Sequence, residues 1–357
     1  MVINRRYFLA GTAASIIASP GMALAEQNKS GFISALKTAD GYAAARLDRT
    51  GQIQAIVPLP GRGHDVALSP QRTKAVIFSR RPGNFGVEWD LRTDRVTAEF
   101  ASPDNRHFYG HGFFSPDGRL LYAAENNFEQ ERGCLGIYDA ENNYQRVGEY
   151  ECHGIGPHQA VLLSNQDTIA LAVGGIATHP DFPRQKLNIP DMRPSLTYLD
   201  RRTGELVDQV FLPPELHQLS IRHIAEGPDK TVWFCGQFQG AATDGVNIVG
   251  FHKIGQSPEL IALPTRLQRQ TKYYAGSIAV NSDKSLIAVS FPRGNFMVII
   301  DTISKALVGI TESRDICGIA ETGKRFYASN GLGQLIRQDG VEISQQDVLW
   351  DNHLRSF

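Results

Sequence analysis

The sequence feature that most constrains the fold is a β-hairpin pattern that recurs along the chain. Its clearest copy runs from His111 to Asn126, where two β-prone segments flank the turn Ser115-Pro-Asp-Gly118. Proline presets φ in such a turn, and glycine accepts the positive φ that follows. Aromatic and branched residues such as Phe113 and Leu121 favour strands on both sides. A recurring unit of this kind indicates a repeat architecture. A pair of β-sandwiches is the alternative, and it would not need a near-regular repeat.

Weaker copies divide the chain into units of roughly 40–60 residues with four short strands each. The third strand ends in aspartate before a turn in four of the units: Asp90, Asp139, Asp200 and Asp301. Four-stranded units repeated around an axis are the blades of a β-propeller. Six units are complete, and the first offers only three strands, near 32–37, 42–47 and 53–57. The sequence therefore predicts an all-β, seven-bladed β-propeller in which Trp350–Phe357 closes the first blade as its innermost strand. Such closure removes exposed sheet edges.

Residues 1–25 have the pattern of a cleaved export signal. Arg5 and Arg6 stand before Phe8-Leu9 as in twin-arginine signals, and Ala23-Leu-Ala25 fits an A-x-A cleavage site. The apolar stretch between them, about ten to twelve residues, is too short to span a membrane. An ordinary secretory signal is the alternative. We expect export to the periplasm, cleavage after Ala25, and a single β-propeller domain over residues 26–357.

Charge and cysteine content limit the partners and cofactors. The chain has 36 Lys and Arg against 37 Asp and Glu, so no nucleic-acid partner is expected. No cysteine lies near the cleavage site, and we expect a monomer without a membrane anchor. The four cysteines form no C-x-x-C pair, which disfavours thiolate zinc sites and covalent haem. Cys134 and Cys152 flank one predicted hairpin, and an oxidising compartment would permit a disulfide between them.

Five of the ten histidines fall at or near the start of a first strand, which lines the channel of a propeller. They are His64, His111, His158, His223 and His353. We expect them to meet at one mouth of the channel, where several imidazoles suit iron, copper or zinc. The residues do not identify the cofactor, and an iron or copper ion is the candidate. Each histidine taken alone is better explained by a structural role, and repeats copy structural residues too.

The loops that leave the second strands should open on the same face of the propeller. Their polar residues are Arg80, Glu125, Asn126, His179, Gln237 and Arg293. Arginine beside a histidine-rich mouth suits a carboxylate or phosphate, because guanidinium offers two parallel donors. For Arg81, a solvated loop position is the simpler interpretation. The proline-rich insertion over residues 174–194 is expected to be a lid over the mouth or a strap between blades.

The chain resembles a bacterial periplasmic β-propeller family of unknown function that carries a twin-arginine signal. The matching runs span nearly the whole mature chain and include Arg80-Arg-Pro-Gly83, His107-Phe-Tyr-Gly-His-Gly112, Gly154-Ile-Gly-Pro-His158, Gly174-Gly-Ile-Ala-Thr-His-Pro-Asp181, Gln218-Leu-Ser-Ile-Arg-His223 and Trp350-Asp-Asn-His-Leu354. Members tend to be encoded beside imelysin-type iron-uptake proteins and a dihaem peroxidase-like protein. The resemblance implies a role in periplasmic iron handling with such proteins as partners, and it assigns no catalytic residues.

Three functions fit these observations. The first is a periplasmic binding or accessory protein for iron acquisition that holds a metal or metal complex at the histidine-lined mouth. The second is an enzyme, either lactonase-like or a redox accessory, with a histidine and Glu125 as acid or base. The third is a protein-interaction scaffold without a small-molecule site. The sequence has no G-x-S-x-G elbow, Walker loop or dinucleotide-binding glycine pattern.

Overall fold

The structure is a computed structural model that describes residues 30–182, 185–241 and 245–357. The predicted export signal at residues 1–25 lies outside the described residues. In the part of the chain that is described, no helix has the length and apolar character needed to cross a membrane.

The described residues form seven antiparallel sheets arranged as blades. Blade 1 contains β1 (Gly31–Thr38), β2 (Gly41–Asp48) and β3 (Ile53–Pro58), and blade 2 contains β4 (Gly63–Leu68), β5 (Lys74–Ser79), β6 (Phe85–Asp90) and β7 (Arg95–Ala101). Blade 3 contains β8 (Arg106–Phe114), β9 (Leu120–Asn127), β10 (Arg132–Asp139) and β11 (Gln145–Glu151), and blade 4 contains β12 (Pro157–Leu162), β13 (Thr168–Val173), β14 (Ser195–Asp200) and β15 (Leu206–Phe211). Blade 5 contains β16 (Leu219–Glu226), β17 (Val232–Phe238), β18 (Val249–His252) and β19 (Glu259–Leu260).

Blade 6 contains β20 (Ser277–Val280), β21 (Leu286–Phe291), β22 (Phe296–Asp301) and β23 (Leu307–Glu312), and blade 7 contains β24 (Ile316–Thr322), β25 (Arg325–Asn330), β26 (Gln334–Arg337) and β27 (Glu342–Gln345). Two short strands follow, β28 (Leu349–Trp350) and β29 (Arg355–Ser356). A short α-helix, α1 (Thr265–Gln270), lies between blades 5 and 6. Short 3-10 turns occupy Ile189–Asp191, Pro214–Leu216, Pro228–Lys230 and Pro292–Gly294.

The blades close into a ring around their inner strands. Contacts run in order from β1 to β4, β8, β12, β16, β20 and β24, and β24 then contacts β29. Within each blade the strands pair with their neighbours in sequence. The predicted all-β, seven-bladed β-propeller is therefore confirmed.

The C-terminal segment completes blade 1. Trp350 pairs with Leu36 through β28, and Ser356 pairs with Phe32 through β29, both antiparallel to β1. Between the two strands, the Ser34 hydroxyl donates to the carbonyl of His353 at 2.7 Å. The predicted innermost strand is thus present as two short pieces, because the chain leaves the regular ladder around His353.

Strand position within a blade explains the burial pattern. Strand β5 is buried along Ala75–Ser79, because neighbouring blades cover both of its faces. The outermost strand β7 has exposed residues alternating with half-buried ones, as expected for a strand with one solvated face. Core residues such as Ile33, Ile77 and Trp89 pack between blades 1 and 2. The inner strand β4 is likewise buried along Gly63–Ala67, so packing holds the side chains that it carries.

Aspartates at the ends of the third strands shape the turns as the sequence suggests. Asp200 Oδ1 accepts the backbone N–H groups of Arg202 at 2.8 Å and Thr203 at 2.9 Å. Asp301 Oδ1 accepts those of Ile303 and Ser304 in the same way. These hydrogen bonds are the Asx-type contacts that favour aspartate at a turn.

The suggested disulfide between Cys134 and Cys152 is not formed in the structure, where both thiols are buried and free. Cys134 pairs in register with Glu151, and adjacent residues of a strand point to opposite faces of the sheet. Accordingly, Cys152 packs in an apolar cluster with Leu135, whereas Cys134 accepts a hydrogen bond from Arg106 on the other face. The register therefore separates the two sulfur atoms.

Candidate metal centre

The structure brings the five predicted histidines together in one cluster, called here the histidine ring. Neighbouring ring centroids are 4.6 Å apart for His353 and His64, 4.9 Å for His64 and His111, and 4.9 Å for His111 and His158. The circuit continues with 4.7 Å between His158 and His223, and closes with 4.8 Å between His223 and His353. Four of the five residues are fully buried and His158 is partly buried. The ring thus lies inside the channel rather than open to solvent at its mouth.

Each ring histidine stands at or beside an irregularity of an inner strand. The pairing register shifts between Gly63 and Val66, between Phe108 and Gly112, between Pro157 and Gln159, and between Ile221 and His223. The fifth histidine, His353, lies in the gap between β28 and β29. A bulge re-aims the side chains around it and is common beside functional sites. Blade 6 has neither such a shift nor a histidine, whereas blade 7 has a shift between Ile316 and Ile319 without a histidine.

Gly110 permits the close approach of two ring members. Its φ of +98° lies in the left-handed region, and a Cβ atom there would stand 2.5 Å from His64 Cδ2. A larger residue at this position would displace the His64 imidazole, which packs against His111. The glycine at position 110 of β8 therefore leaves the space in which His64 packs against His111.

Two buried aspartates contact the Nδ1 atoms of ring histidines and so fix the orientation of the imidazoles. His111 Nδ1 donates to Asp65 Oδ2 at 2.7 Å, and Arg355 Nε donates to Asp65 Oδ1 at 2.7 Å. His64 Nδ1 lies 3.3 Å from Asp351 Oδ1. A carboxylate that accepts from one imidazole nitrogen fixes the tautomer and leaves the other nitrogen free to bind a metal. His111 therefore presents Nε2.

Charge keeps both aspartates ionised despite their burial. Burial alone would raise the pKa of Asp351, but its hydrogen bond with His64 and the charges of Arg62 and Arg80 lower that pKa to about 2. Burial likewise opposes ionisation of Asp65, and the charge of Arg355 holds the pKa of Asp65 well below its usual range. Both carboxylates are therefore acceptors for imidazole N–H groups at neutral pH.

The ring histidines are neutral and have unused nitrogen atoms. Burial lowers the pKa of His64 to about 4, and burial also lowers the pKa of each of the other four. The buried nitrogens without any hydrogen-bond partner are His111 Nε2, His158 Nδ1, His223 Nδ1 and His353 Nε2. Buried polar atoms are nearly always hydrogen-bonded, so four such atoms in one cluster require an explanation.

The ligand atoms of the ring form two overlapping triads. His64, His111 and His353 place one nitrogen each within 4.8 Å of one another, and so do His111, His158 and His223. Neutral imidazole nitrogens are ligands for zinc, copper, iron and nickel. The donor set therefore fits a transition-metal ion, and His111 belongs to both triads.

Three of the predicted same-face residues lie around the channel face. Arg80 is half-buried, and its Nη1 atom is 3.8 Å from Asp351 Oδ1. Gln237 donates to the carbonyl of Ala275 at 3.3 Å. Arg293 is exposed, and its guanidinium carbon lies 4.1 Å from the centroid of the Tyr274 ring.

The other three do not contact the ring. Glu125 is buried between blade strands, where Arg146 Nη2 donates to its Oε2 at 2.9 Å and Tyr138 donates to Oε1. These partners hold the Glu125 carboxylate in a buried network of blade 3, apart from the ring. Asn126 Nδ2 donates to His107 Nε2 at 3.0 Å and to the Thr178 carbonyl at 3.0 Å. His179 packs against Phe128, with ring centroids 5.0 Å apart.

A second group of possible ligands surrounds Glu125 but is neutralised by arginines. Glu125, Cys134 and Glu149 offer atoms within 4.8 Å of one another. Arg106 Nη1 lies 3.5 Å from Glu125, 2.6 Å from Glu149 and 2.8 Å from Cys134 Sγ. The guanidinium groups occupy the acceptor positions that an ion would need, so this network stabilises blade 3.

Sequence reasoning missed the aspartates and one arginine of the site. Asp65 follows His64, and Asp351 precedes His353 by two residues, so proximity to the ring histidines was the available signal. Arg222 immediately precedes His223 and is buried, with its Nε atom lacking a partner. Arg81 was expected to be solvated, but it is half-buried and burial lowers its pKa.

The fold and the site together define a β-propeller with a buried histidine ring in its channel. The chain belongs to the family described as "Protein of unknown function (DUF1513)", whose model matches residues 57–357. No functionally curated protein matches the sequence.

Solved structures share the fold at low sequence identity. Hydrazine synthase of Kuenenia stuttgartiensis matches with a TM-score of 0.63 and 14% identity, over 83% of this chain and 89% of that chain. A functionally unknown protein from Desulfotomaculum acetoxidans matches with a TM-score of 0.61 and 11% identity, over 90% of this chain and 99% of that chain. At such identities the likeness supports the propeller architecture alone.

Proposed function

We propose that this protein binds a transition-metal ion in the histidine ring. The observation that carries the proposal is the set of four buried imidazole nitrogens, on His111, His158, His223 and His353, that have no hydrogen-bond partner. An ion held by the triad of His111, His158 and His223 would give three of these atoms a partner, because each neutral ring can offer a lone pair.

The surroundings of the ring support metal binding over a purely structural role. Asp65 accepts from His111 Nδ1 in the arrangement that carboxylates adopt behind metal-ligating histidines. A structural histidine cluster would instead be expected to pair its own nitrogens with backbone or carboxylate groups. The register shifts beside His64 and His111 are compatible with this role, because bulges re-aim side chains and are common beside functional sites.

We further propose that the protein acts in the periplasm as a binding or accessory protein for iron acquisition. Support for export comes from the twin-arginine pattern at Arg5 and Arg6 and the Ala23–Ala25 cleavage motif. Support for iron comes from the resemblance to propellers encoded beside imelysin-type and dihaem peroxidase-like proteins, which are the proposed partners. The burial of Glu125 in ion pairs leaves the hydrolase alternative without its acid–base candidate.

Metal identity must be measured on protein that is exported naturally. An all-imidazole site binds copper more tightly than iron in a test tube, because affinity follows the Irving–Williams order. The protein should therefore be purified from the periplasm without chelators, and its metal content should be measured by mass spectrometry. We expect about one metal ion per chain in a single site of this kind.

Histidine variants test whether the metal ion binds in the ring. The double variant His111→Ala/His158→Ala removes the shared ligand and one neighbour and should lose the ion. The variant His217→Ala changes an exposed histidine outside the ring and should keep it. Wild-type protein without metal, and without affinity for Fe²⁺, Cu²⁺ or Zn²⁺ in titrations, would overturn the proposal.

The periplasmic and iron assignments have their own tests. The double variant Arg5→Lys/Arg6→Lys should accumulate unprocessed protein in the cytoplasm if export uses the twin-arginine route. A deletion strain should grow more slowly than wild type when iron is chelated and recover with added iron. Unchanged growth under iron limitation would remove the assignment to iron acquisition and leave metal binding standing.

A further inference from the structure

A group of cations surrounds the channel face next to the histidine ring, and it is called here the arginine cluster. It consists of Arg80, Arg81, Lys186, Arg222 and Arg293. Arg80 and Arg81 follow β5, and Arg293 follows β21, so both loops leave the second strand of a blade. Lys186 lies in the insertion between β13 and β14, and Arg222 lies on the inner strand β16. Second-strand ends and first-strand starts meet at one face of a propeller, so four blades contribute.

Arg222 is the buried member of this cluster. Its exposed fraction is 8%, and its Nε atom makes no hydrogen bond. It precedes His223, which belongs to the histidine ring. A buried guanidinium nitrogen without a partner is costly, and such groups are normally found paired with a carboxylate or another acceptor.

The described part of the chain supplies no counter-charge to most of the cluster. None of Arg81, Lys186, Arg222 and Arg293 forms an ion pair within the described residues, whereas Arg80 lies 3.8 Å from Asp351. Asp351 is already engaged by Arg62 at 2.5 Å. The cluster therefore carries uncompensated positive charge in a partly buried setting.

The direction of the Lys186 pKa shift agrees with this grouping of cations. Burial, with repulsion from Arg222, Arg293 and Arg81, lowers the pKa of Lys186.

We propose that the arginine cluster binds a small multivalent oxyanion, a polycarboxylate or a phosphate, directly beside the histidine ring. Guanidinium groups recognise both kinds of oxyanion through paired N–H donors, and Arg222 has a buried donor free for this purpose. That the anion accompanies a metal ion, as its chelator or co-ligand, rests on the proposed function. The anion site itself does not.

The test is calorimetric titration of metal-free protein with citrate and, separately, with inorganic phosphate. We expect saturable binding of at least one of them, and the anion that binds more tightly identifies the chemistry. Arg222→Gln should weaken binding by about tenfold or more, because a charge-assisted hydrogen bond is lost. Arg202→Gln, which changes an exposed hairpin arginine far from the channel, should bind as wild type does.

Two further variants make the result decisive. Arg81→Gln lies in a loop and should also weaken anion binding, so it decides the matter if Arg222→Gln does not fold. His111→Ala should lose metal yet keep anion binding in the metal-free state. The anion site would be overturned if wild-type protein bound neither anion. It would also be overturned if Arg222→Gln and Arg81→Gln both bound the anion as tightly as wild type. Retained metal in His111→Ala would instead count against the histidine ring as the metal centre.

Discussion

Replacing Asp65 with asparagine removes one negative charge from behind the histidine ring while preserving side-chain shape. Asp65 is 2% exposed and accepts from His111 Nδ1 at 2.7 Å. It also accepts from Arg355 Nε at 2.7 Å and Nη2 at 2.5 Å. The substitution therefore lowers the basicity of His111 and leaves the Arg355 charge without its partner.

The structure sets the expected size of the loss in metal affinity and of the loss in stability. Loss of a carboxylate behind a ligating histidine typically costs about 10- to 100-fold in metal affinity, or about 1.4–2.7 kcal/mol. Removing one partner of a fully buried ion pair costs about 3–5 kcal/mol of stability. The Arg355 side chain is 35% exposed, so water partly screens its charge and we expect the smaller loss of about 1–3 kcal/mol.

Metal affinity should be measured by competition with a chromogenic chelator, and stability of the metal-free protein by urea unfolding. Asp167→Asn is the matched control, because Asp167 pairs with Arg202 on the surface and the change should cost less than about 1 kcal/mol. Asp65→Asn protein that binds metal as tightly as wild type would refute the role of Asp65 in orienting His111.

Three other predictions follow from the packing, the register and the pKa shifts. Leu354 in the closing segment is 2% exposed, and Leu354→Ala should lower the free energy of unfolding by about 2–5 kcal/mol. Leu349 is 52% exposed, and Leu349→Ala should change that free energy by about 0.5 kcal/mol or less. Urea titrations measure both. Thiol labelling without reductant should find four free cysteines after unfolding, and fewer would indicate a disulfide. Burial lowers the pKa of His107 from 6.5 to about 4, so the unfolded chain binds a proton in this range that the folded chain does not, and stability falls as pH falls from 6.5 towards 4. His107→Gln should reduce this slope by up to about 1.4 kcal/mol per pH unit in metal-free protein, and an unchanged slope would show that His107 does not contribute.

The architecture was readable from the sequence because it depends on local signals. Turn chemistry such as Ser115–Gly118 marks each hairpin, and the spacing of the hairpins gives the blades. The missing strand of blade 1 pointed to Trp350–Phe357, which the structure pairs with β1. Equivalent positions in successive blades also identified the five histidines, since the inner strands all line one channel.

The fine geometry of the site depends on contacts between distant segments and could not be read in the same way. Asp65 meets His111 across 46 residues and Arg355 across 290 residues. The buried position of Glu125 depends on its ion pairs with Arg106 and Arg146, which are 19 and 21 residues away in the chain. The separation of the two cysteines follows from a one-residue difference in register, which reverses the face of the sheet.

The most direct test of the histidine ring as a metal centre is anomalous X-ray scattering from crystals of naturally exported protein. Data should be collected above and below the absorption edge of the metal found by mass spectrometry. We expect one strong peak about 2.0–2.2 Å from ring nitrogens that include His111 Nε2. A bound metal whose peak lies outside the ring, or a ring with no peak in metal-loaded crystals, would contradict it.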